Sequence, residues 1–336
     1  MNRTAPANSF ISEAAAYPFA ITARGLVKHF GALKALDGID LDVPRGMIFA
    51  VLGPNGAGKT TLIRTLATLT RADAGTANLM GHDLATDPQG VRSEIALTGQ
   101  FASLDEDLTG RDNLIMLARL WGFKGRAAKA RADELLAAFD LSDAAKKQVK
   151  SYSGGMRRRL DIAASLVVTP GVLFLDEPTT GLDPTARQGV WRMIRELAAA
   201  GVTILLTTQY LDEADQLAAR IAVIDKGRKI AEGTSRELKA QIGSGYLHVA
   251  PANPLDLEKA ANLLEQRLGN NVHRNAEGGQ LSVIAASPRE ANEALTALID
   301  AGIELTDFSM GSPSLDEVFF ALTGNADPDS TREAAQ

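Results

Sequence analysis

The sequence predicts a parallel α/β sheet followed by a smaller α+β domain of the ferredoxin-like type. Between about residues 20 and 240, short β-branched runs alternate with longer helical patterns. These runs are continuously apolar, as strands covered on both faces require. After about residue 245 the pattern reads strand, helix, strand, strand, helix, strand and a final helix, which is the order of a ferredoxin-like sandwich.

Four apolar runs are the predicted strands of the parallel sheet: MIFAVLG at 47–53, VLFLDEP at 172–178, TILLTTQ at 203–209 and IAVID at 221–225. Between about residues 91 and 169, apolar residues recur at helical spacing, which predicts a mostly helical subdomain. The predicted organisation is a flexible tail over 1–19, a large domain over 20–240, an accessory domain over 246–323 and a second flexible tail over 324–336.

Composition excludes several classes of function. The 336 residues include 41 acidic and 35 basic side chains, and no long basic block is present, so an extended contact with nucleic acid is not expected. There is no cysteine, which excludes disulfides, thiolate metal sites and cysteine nucleophiles. No run of about 18 apolar residues occurs, so any membrane role is expected to depend on a partner.

A phosphate-binding loop is predicted directly after the first apolar strand. The stretch GPNGAGKTT matches the G-x-x-x-x-G-K-[ST] pattern in the required strand, loop and helix context. It consists of Gly53, Pro54, Asn55, Gly56, Ala57, Gly58, Lys59, Thr60 and Thr61. The glycines allow backbone N–H groups to surround phosphate oxygens, and the helix start adds about half a positive charge. The motif predicts that Lys59 contacts the β- and γ-phosphates and that the Thr60 hydroxyl binds Mg²⁺.

Two carboxylates end the strand at 172–178, where open α/β sheets place their ligands. Adjacent strand residues point in opposite directions, so Asp176 and Glu177 can have separate roles. Asp176 is the predicted metal ligand, and Glu177 is predicted to accept a proton from the attacking water or to position it. The alternative is an acidic turn cap before Pro178.

A second candidate anion site begins at Ser153, a good N-cap, followed by Gly154, Gly155 and a strong helical pattern. The residues alone leave open whether this helix start binds its own anion or shares the phosphate of the first loop. The three arginines at 157–159 are expected to form a solvated or ion-paired face, because a helix turn points consecutive residues in different directions.

The motifs GPNGAGKTT, SGGM, LFLDEP and GLDP, in this order, resemble the nucleotide-binding subunit of ATP-binding cassette (ABC) transporters over about residues 21–239. The resemblance implies a P-loop NTPase cassette with a RecA-like α/β core and a helical subdomain, which binds ATP and Mg²⁺. It also implies a head-to-tail homodimer, in which Ser153, Gly154 and Gly155 of one copy close over the γ-phosphate held by Lys59 of the other.

Three further positions carry roles that the resemblance implies. Phe30 matches the aromatic residue that stacks on adenine, although it could also be a core residue at a strand end. Gln100 resembles the Q-loop glutamine, which contacts Mg²⁺ or the attacking water. Asp183 matches the D-loop aspartate at the dimer seam and can also cap the helix that begins at Pro184.

Gln209 departs from the family, which usually has a histidine that contacts the γ-phosphate after this strand. An amide can donate an N–H bond to phosphate, but it cannot become cationic or carry a proton near neutral pH. We therefore expect Glu177 to activate the water while Gln209 only senses the phosphate. The predicted catalytic groups are Glu177, Gln209 and Lys59.

The stretches at 152–167, 179–191 and 205–218, with the ending PSLDEVFFALTG, resemble the daunorubicin-resistance ATPases of drug exporters. That resemblance implies a separate membrane permease, attachment at the cytoplasmic face of the cell membrane, export of hydrophobic antibiotics or lipids, and no nucleic-acid partner. The permease is expected to contact residues 101–123, although most apolar residues of NLIMLARLW at 113–121 are expected to belong to the core. Two alternatives are an importer ATPase with a regulatory C-terminal domain, which a C-terminal β-barrel would favour, and a soluble ABC ATPase that acts on nucleic acid or ribosomes.

Overall fold

The computed structural model describes residues 18–99, 104–241, 245–269, 272–275, 279–285, 287–311, 314–315 and 317–319. The chain divides into two compact units, 1–234 and 235–336. No helix in these described ranges is long and apolar enough to cross a bilayer.

The first unit contains two β-sheets. Its strands are β1 (Phe19–Phe30), β2 (Leu33–Pro44), β3 (Ile48–Leu52), β4 (Ala74–Leu79), β5 (His82–Asp83), β6 (Ile95–Thr98), β7 (Val172–Asp176), β8 (Thr203–Thr208), β9 (Arg220–Asp225) and β10 (Arg228–Gly233). The larger sheet has the order β10-β9-β3-β8-β7-β6, and all its neighbouring strands are parallel except β10 and β9. Every residue of β3, β7 and β8 is buried, so the predicted two-sided parallel sheet is confirmed.

The smaller sheet is antiparallel, with the order β2-β1-β4-β5, and the sequence analysis did not predict it. Buried residues in β1 and β2 are interrupted by exposed ones, so neither strand reads as a continuous apolar run. One apolar cluster nevertheless joins this sheet to the larger one. It includes Leu26 of β1, Phe49 of β3 and Phe174 of β7.

Seven helices are described in the first unit: α1 (Lys59–Leu66), α2 (Pro88–Glu94), α3 (Gly110–Leu120), α4 (Gly125–Ala138), α5 (Gly154–Ser165), α6 (Pro184–Ala199) and α7 (Leu211–Leu217). The helices α3, α4 and α5 lie within the stretch predicted to be mostly helical. However, β6 also lies in that stretch and pairs with β7 in the parallel sheet. The helical region therefore begins after β6, whose four residues are too short to give a clear strand pattern.

The second unit contains α8 (Ser235–Gln241), β11 (Tyr246–Pro251), α9 (Leu257–Leu268), β12 (His273–Asn275), β13 (Gln280–Ile284), α10 (Pro288–Asp300) and β14 (Leu305–Gly311). Its antiparallel sheet has the order β12-β13-β11-β14, which confirms the predicted ferredoxin-like arrangement. Leu247, Val249, Leu264 and Leu298 share the core between the sheet and its helices. The predicted final helix at 314–324 lies largely outside the described residues.

Candidate active site

Four strand ends meet at one edge of the larger sheet. The strands β3, β8, β7 and β6 are consecutive neighbours and run in the same direction. Their carboxyl ends therefore lie side by side, at the edge where open α/β sheets bind ligands. The loop at 53–58 follows β3, and Gln209 follows β8. Asp176 ends β7 with Glu177 directly after it, and Gly99 follows β6.

The end of β8 connects the loop to the carboxylates. The Gly53 N–H donates to the Thr208 carbonyl oxygen at 3.3 Å. On the other side, the Glu177 N–H donates to the carbonyl and the hydroxyl oxygen of Thr207, each at 3.1 Å. The Thr207 hydroxyl itself donates to Asp176 Oδ1. Sequence reasoning missed Thr207, although two threonines at the end of an apolar strand are a recognisable signal.

Two positions in the loop require glycine because the backbone is crowded. A Cβ atom added to Gly53 would lie 2.2 Å from the Ile224 carbonyl oxygen, and one added to Gly58 would lie 2.3 Å from the Ala35 carbonyl oxygen. Gly58 also has a φ of +107°, which side chains rarely adopt. The loop backbone is thus close to both β9 and β2, while Pro54, Asn55 and Gly56 stay exposed.

Lys59 lies at the centre of this loop. Its Nζ donates to the carbonyl oxygens of Gly53 at 2.8 Å and Pro54 at 3.0 Å, and lies 3.4 Å from Glu177 Oε1. Only 4% of the Lys59 side chain and 8% of the Glu177 side chain are exposed. Burial lowers the pKa of Lys59, and attraction to Glu177 and Asp176 opposes that shift. The carboxylates therefore help to keep this buried amine charged.

Asp176, the last residue of β7, and Glu177, directly after it, have different hydrogen-bond partners. Asp176 Oδ1 accepts a hydrogen bond from the Thr60 hydroxyl at 3.2 Å, whereas Glu177 Oε2 accepts one from the Thr180 hydroxyl at 3.2 Å. The φ of Glu177 is +46°, a left-handed conformation that is uncommon outside glycine. Such strained residues concentrate at functional sites, where neighbouring bonds hold them in place.

The candidate second anion site lies at the start of α5. Ser153 and Gly154 are exposed, and the Ser153 hydroxyl accepts a hydrogen bond from the Met156 N–H at 3.3 Å. Gly155 is buried, and a Cβ atom added there would lie 2.8 Å from the Ala186 Cβ of α6. Gly155 is therefore required for helix packing. Asp183 caps α6 by accepting from the Ala186 N–H at 2.9 Å.

The structure describes two of the three remaining predicted positions. Phe30 is 52% exposed at the end of β1, with Lys28 Nζ 5.4 Å from its ring centroid. It pairs with Leu33 at the start of β2, the strand that also carries Ala35 to the loop. Gln209 is half-buried directly after β8. Gln100 lies outside the described residues.

Family models match both units of the chain. The model described as ABC transporter matches residues 36–180, and the model described as the C-terminal domain of ATP-binding proteins like DrrA1-3 matches residues 233–323. The daunorubicin/doxorubicin resistance ATP-binding protein DrrA of Streptomyces peucetius is 54% identical over 94% of this chain and 96% of its own length. DrrA3 of Streptomyces coeruleorubidus is 52% identical over 94% of this chain and 99% of its own length. The chain belongs to this family of ABC ATP-binding proteins.

Solved ABC structures share the fold of the ATPase. One is cbiO1 of Clostridium perfringens, which is part of the ABC transporter complex cbiONQ. It is 25% identical, with a TM-score of 0.62, and the match covers 67% of this chain and 92% of that one. Subunits of this kind bind and hydrolyse ATP and work with separate membrane components.

The three arginines at 157–159 of the ATPase do not share one environment. Arg157 pairs with Glu106 at 2.9 Å and Arg159 approaches Asp140 at 4.0 Å, as an ion-paired face predicts. The side chain of Arg158 is only 12% exposed, and it donates to backbone carbonyl oxygens near the carboxylates. Arg158 is ion-paired as well, with Asp161 at 3.5 Å, but its side chain is not solvated, because α5 packs that side of the helix against the end of β7.

Sequence reasoning also missed a buried acid of the ATPase that contacts the segment after the carboxylates. Glu213 of α7 is fully buried, and its Oε1 accepts from the Thr179 hydroxyl at 2.7 Å and from the Trp191 ring N–H at 3.0 Å. Its Oε2 is buried and makes no hydrogen bond to the described residues. Burial raises the pKa of Glu213, and the hydrogen bond from Thr179 opposes the shift.

We predict that Glu213→Gln becomes more stable relative to the wild type as pH rises. Because the folded pKa of Glu213 is raised, its contribution to stability is complete below the unfolded value of 4.5 and is lost as pH rises through the folded pKa. Glutamine keeps an acceptor for Thr179 and cannot ionise. The free energy of unfolding of both proteins, measured by urea titration at several pH values, tests this.

Glu213→Ala is the matched comparison. It leaves the buried Thr179 hydroxyl without an acceptor and removes a partner of the half-buried Trp191 ring, so it should lower the free energy of unfolding by about 1–3 kcal/mol. A constant difference between the glutamine variant and the wild type at all pH values would contradict the pH prediction.

Proposed function

We propose that this chain is the ATP-hydrolysing subunit of an exporter that moves a hydrophobic drug, antibiotic or lipid through a separate permease. The observation that carries the proposal is the cluster at the sheet edge, where Lys59 lies 3.4 Å from Glu177 and Thr60 lies 3.2 Å from Asp176. Similarity to drug-resistance ATP-binding proteins over 94% of the chain supports the class of cargo.

The loop and the start of α1 would hold the triphosphate. Backbone N–H groups of Asn55, Gly56 and Gly58 and those of the uncapped first turn of α1 supply donors, and the Lys59 ammonium supplies a positive charge. The crowded glycines keep the loop backbone in one conformation, so the donors are arranged before phosphate arrives. The exposed Phe30 ring, on the hairpin beside Gly58, offers a face on which adenine can stack.

In the proposed reaction, the oxygen of a water molecule bonds to the γ-phosphorus as the bond to the β–γ bridging oxygen breaks. Glu177 accepts or orients the proton of that water, and ADP leaves with the bridging oxygen. Lys59 offsets negative charge on the phosphate oxygens, and the Gln209 amide donates to the γ-phosphate. The hydrogen bonds from the Glu177 N–H to the carbonyl and hydroxyl oxygens of Thr207 hold the residue that carries the carboxylate in position.

The residues present fit Mg²⁺. A hydroxyl and a carboxylate meet at Thr60 and Asp176, and Mg²⁺ prefers such oxygen ligands, with phosphate oxygens and water completing its shell. Gln100 is a further proposed ligand from the family resemblance. Mg²⁺ would neutralise charge that develops on the phosphates.

A second copy of the chain would complete the site. Ser153 and Gly154 form an exposed start to the 12-residue helix α5, and such helix starts favour anions. We propose that this surface, with Gly155, closes over the γ-phosphate bound by the other copy, and that Asp183 lies at the seam. This head-to-tail arrangement has two-fold symmetry and closes on itself.

The proposed location is the cytoplasmic face of the cell membrane, with attachment through the permease. The importer alternative is disfavoured by the second unit, which is an α+β sandwich rather than a β-barrel. Similarity to drug-resistance subunits through residues 233–323 also favours export.

Replacing Glu177 by Gln should abolish ATP hydrolysis while ATP still binds, because the amide cannot accept the proton of the attacking water. Turnover and nucleotide binding are measured on the same purified protein. Glu196→Gln, an identical change at an exposed position of α6, is the matched control and should keep normal turnover. Substantial hydrolysis by the Glu177 variant would refute the assigned role.

Replacing Gln209 by Ala should slow hydrolysis on the order of 100-fold, since one positioned donor to the phosphate is lost. The loss should be smaller than that of Glu177→Gln. Gln209→His should retain turnover and make the rate depend on pH near neutrality, because imidazole titrates there. If alanine leaves the rate unchanged, Gln209 does not sense the phosphate.

Export is tested with the chain and its co-purified permease in lipid vesicles. We expect ATP added on the side of the ATPase to drive doxorubicin across the membrane, followed by its fluorescence. The same complex with Glu177→Gln should bind ATP without transport. Normal ATP hydrolysis without movement of doxorubicin or of a fluorescent lipid would retain the ATPase and exclude the proposed cargo.

A further inference from the structure

The guanidinium of Arg158 binds three backbone carbonyl oxygens around the proposed site. It donates to Pro178 O at 2.9 Å through Nε, to Gly99 O at 3.0 Å and to Asp176 O at 3.4 Å. It also forms an ion pair with Asp161, at 3.5 Å and one turn along the same helix. The side chain thus connects α5 to the ends of both β7 and β6.

The carbonyls of residues 176 and 178 flank Glu177, so Arg158 contacts the main chain on both sides of the carboxylate. Glu177 has a left-handed backbone conformation, with a φ of +46°. Neighbouring contacts must stabilise such a conformation, and the bonds from Arg158 are among them. A planar guanidinium has five donors in a fixed geometry and can bind several acceptors at once. A lysine has one ammonium group at a single point and cannot span the same set.

The third carbonyl belongs to Gly99, which directly precedes Gln100. Arg158 therefore also holds the chain at the point where β6 leads into the segment proposed to contact Mg²⁺ or water. The Arg158 side chain thus joins the end of β6 and the residues around Glu177 to the same helix, α5.

That helix begins at the proposed contact with the second copy. Arg158 follows Ser153 by five positions, which is about 8 Å along a helix axis. Because α5 is a continuous 12-residue helix, a displacement of its start moves Arg158 as well. The bonds to residues 176 and 178 then carry that displacement to the carboxylate.

The surroundings of Arg158 are consistent with a fixed cation. Burial lowers its pKa, and the charges of Asp161, Glu213 and Asp176 oppose the shift. Glu213 separately accepts from the Thr179 hydroxyl at 2.7 Å, so the segment at 176–179 is held from two sides. Buried charges with this many partners are costly to rearrange.

We propose that Arg158 is a positioning residue that keeps Glu177 aligned with the start of α5, so that closure of that helix start over nucleotide orients the catalytic carboxylate. The inference rests on the proposed ATP hydrolysis and adds a residue that acts through Glu177.

The test compares Arg158→Gln and Arg158→Lys with Arg157→Gln, a change of the same type at the adjacent, more exposed arginine. We expect Arg158→Gln to lower kcat by up to about 100-fold, the effect of misplacing a catalytic group by about 1 Å. ATP affinity and KM should stay close to the wild type, because the loop and Lys59 are untouched. Arg158→Lys should recover part of the lost rate, and Arg157→Gln should behave as the wild type.

Three results would overturn the inference: an unchanged kcat in Arg158→Gln, a lysine variant no faster than the glutamine variant, or equal losses of kcat and ATP affinity in a folded variant. Thermal unfolding of each protein checks folding. If Arg158→Gln does not fold, Arg158→Lys replaces it in the test, and a lower kcat with an unchanged KM in that variant would support the inference. If neither variant folds, Arg158 serves stability alone and the inference is overturned. A wild-type protein without ATPase activity would instead refute the proposed function.

Discussion

The hydrogen bonds at the end of β8 are the constraint on which the site depends. The Thr208 carbonyl binds the Gly53 N–H, and Thr207 binds both the Glu177 N–H and the Asp176 carboxylate. The central strand therefore aligns the loop after β3 with the carboxylates after β7. Without these bonds, the shared sheet edge would still bring the segments near each other but would not set their side chains at hydrogen-bond distance.

Two buried cations, Lys59 and Arg158, hold the loops of the site by donating hydrogen bonds to backbone carbonyl oxygens. Lys59 binds the carbonyl oxygens of the loop, and Arg158 binds those on both sides of Glu177. Each cation also has a carboxylate within 3.5 Å. Because a buried charge without partners is strongly unfavourable, these contacts restrict the conformations open to the loops. The site is thus organised by its own protein contacts, in the way that electrostatic catalysis requires.

The local pattern of apolar residues was sufficient to predict much of the fold. The strands β3, β7, β8 and β9 are continuous apolar runs, and the βαββαβ order of the second unit follows from alternation and turn residues. The same reasoning missed β6 and the antiparallel sheet. A four-residue strand and strands with interrupted apolar pattern resemble loops locally, and only their hydrogen-bonded neighbours distinguish them.

By itself, the sequence identified the glycine-rich loop, the carboxylate pair and the serine-glycine helix start, because each is a contiguous motif that residue type and spacing define. The tertiary structure alone decided which distant residues support them. Thr207 lies 31 positions from Asp176 and Arg158 lies 59 from Gly99. Gly155 is needed because α6 packs against it. Such contacts depend on how strands and helices pack, and no local pattern encodes which carbonyl or carboxylate will lie opposite a given side chain.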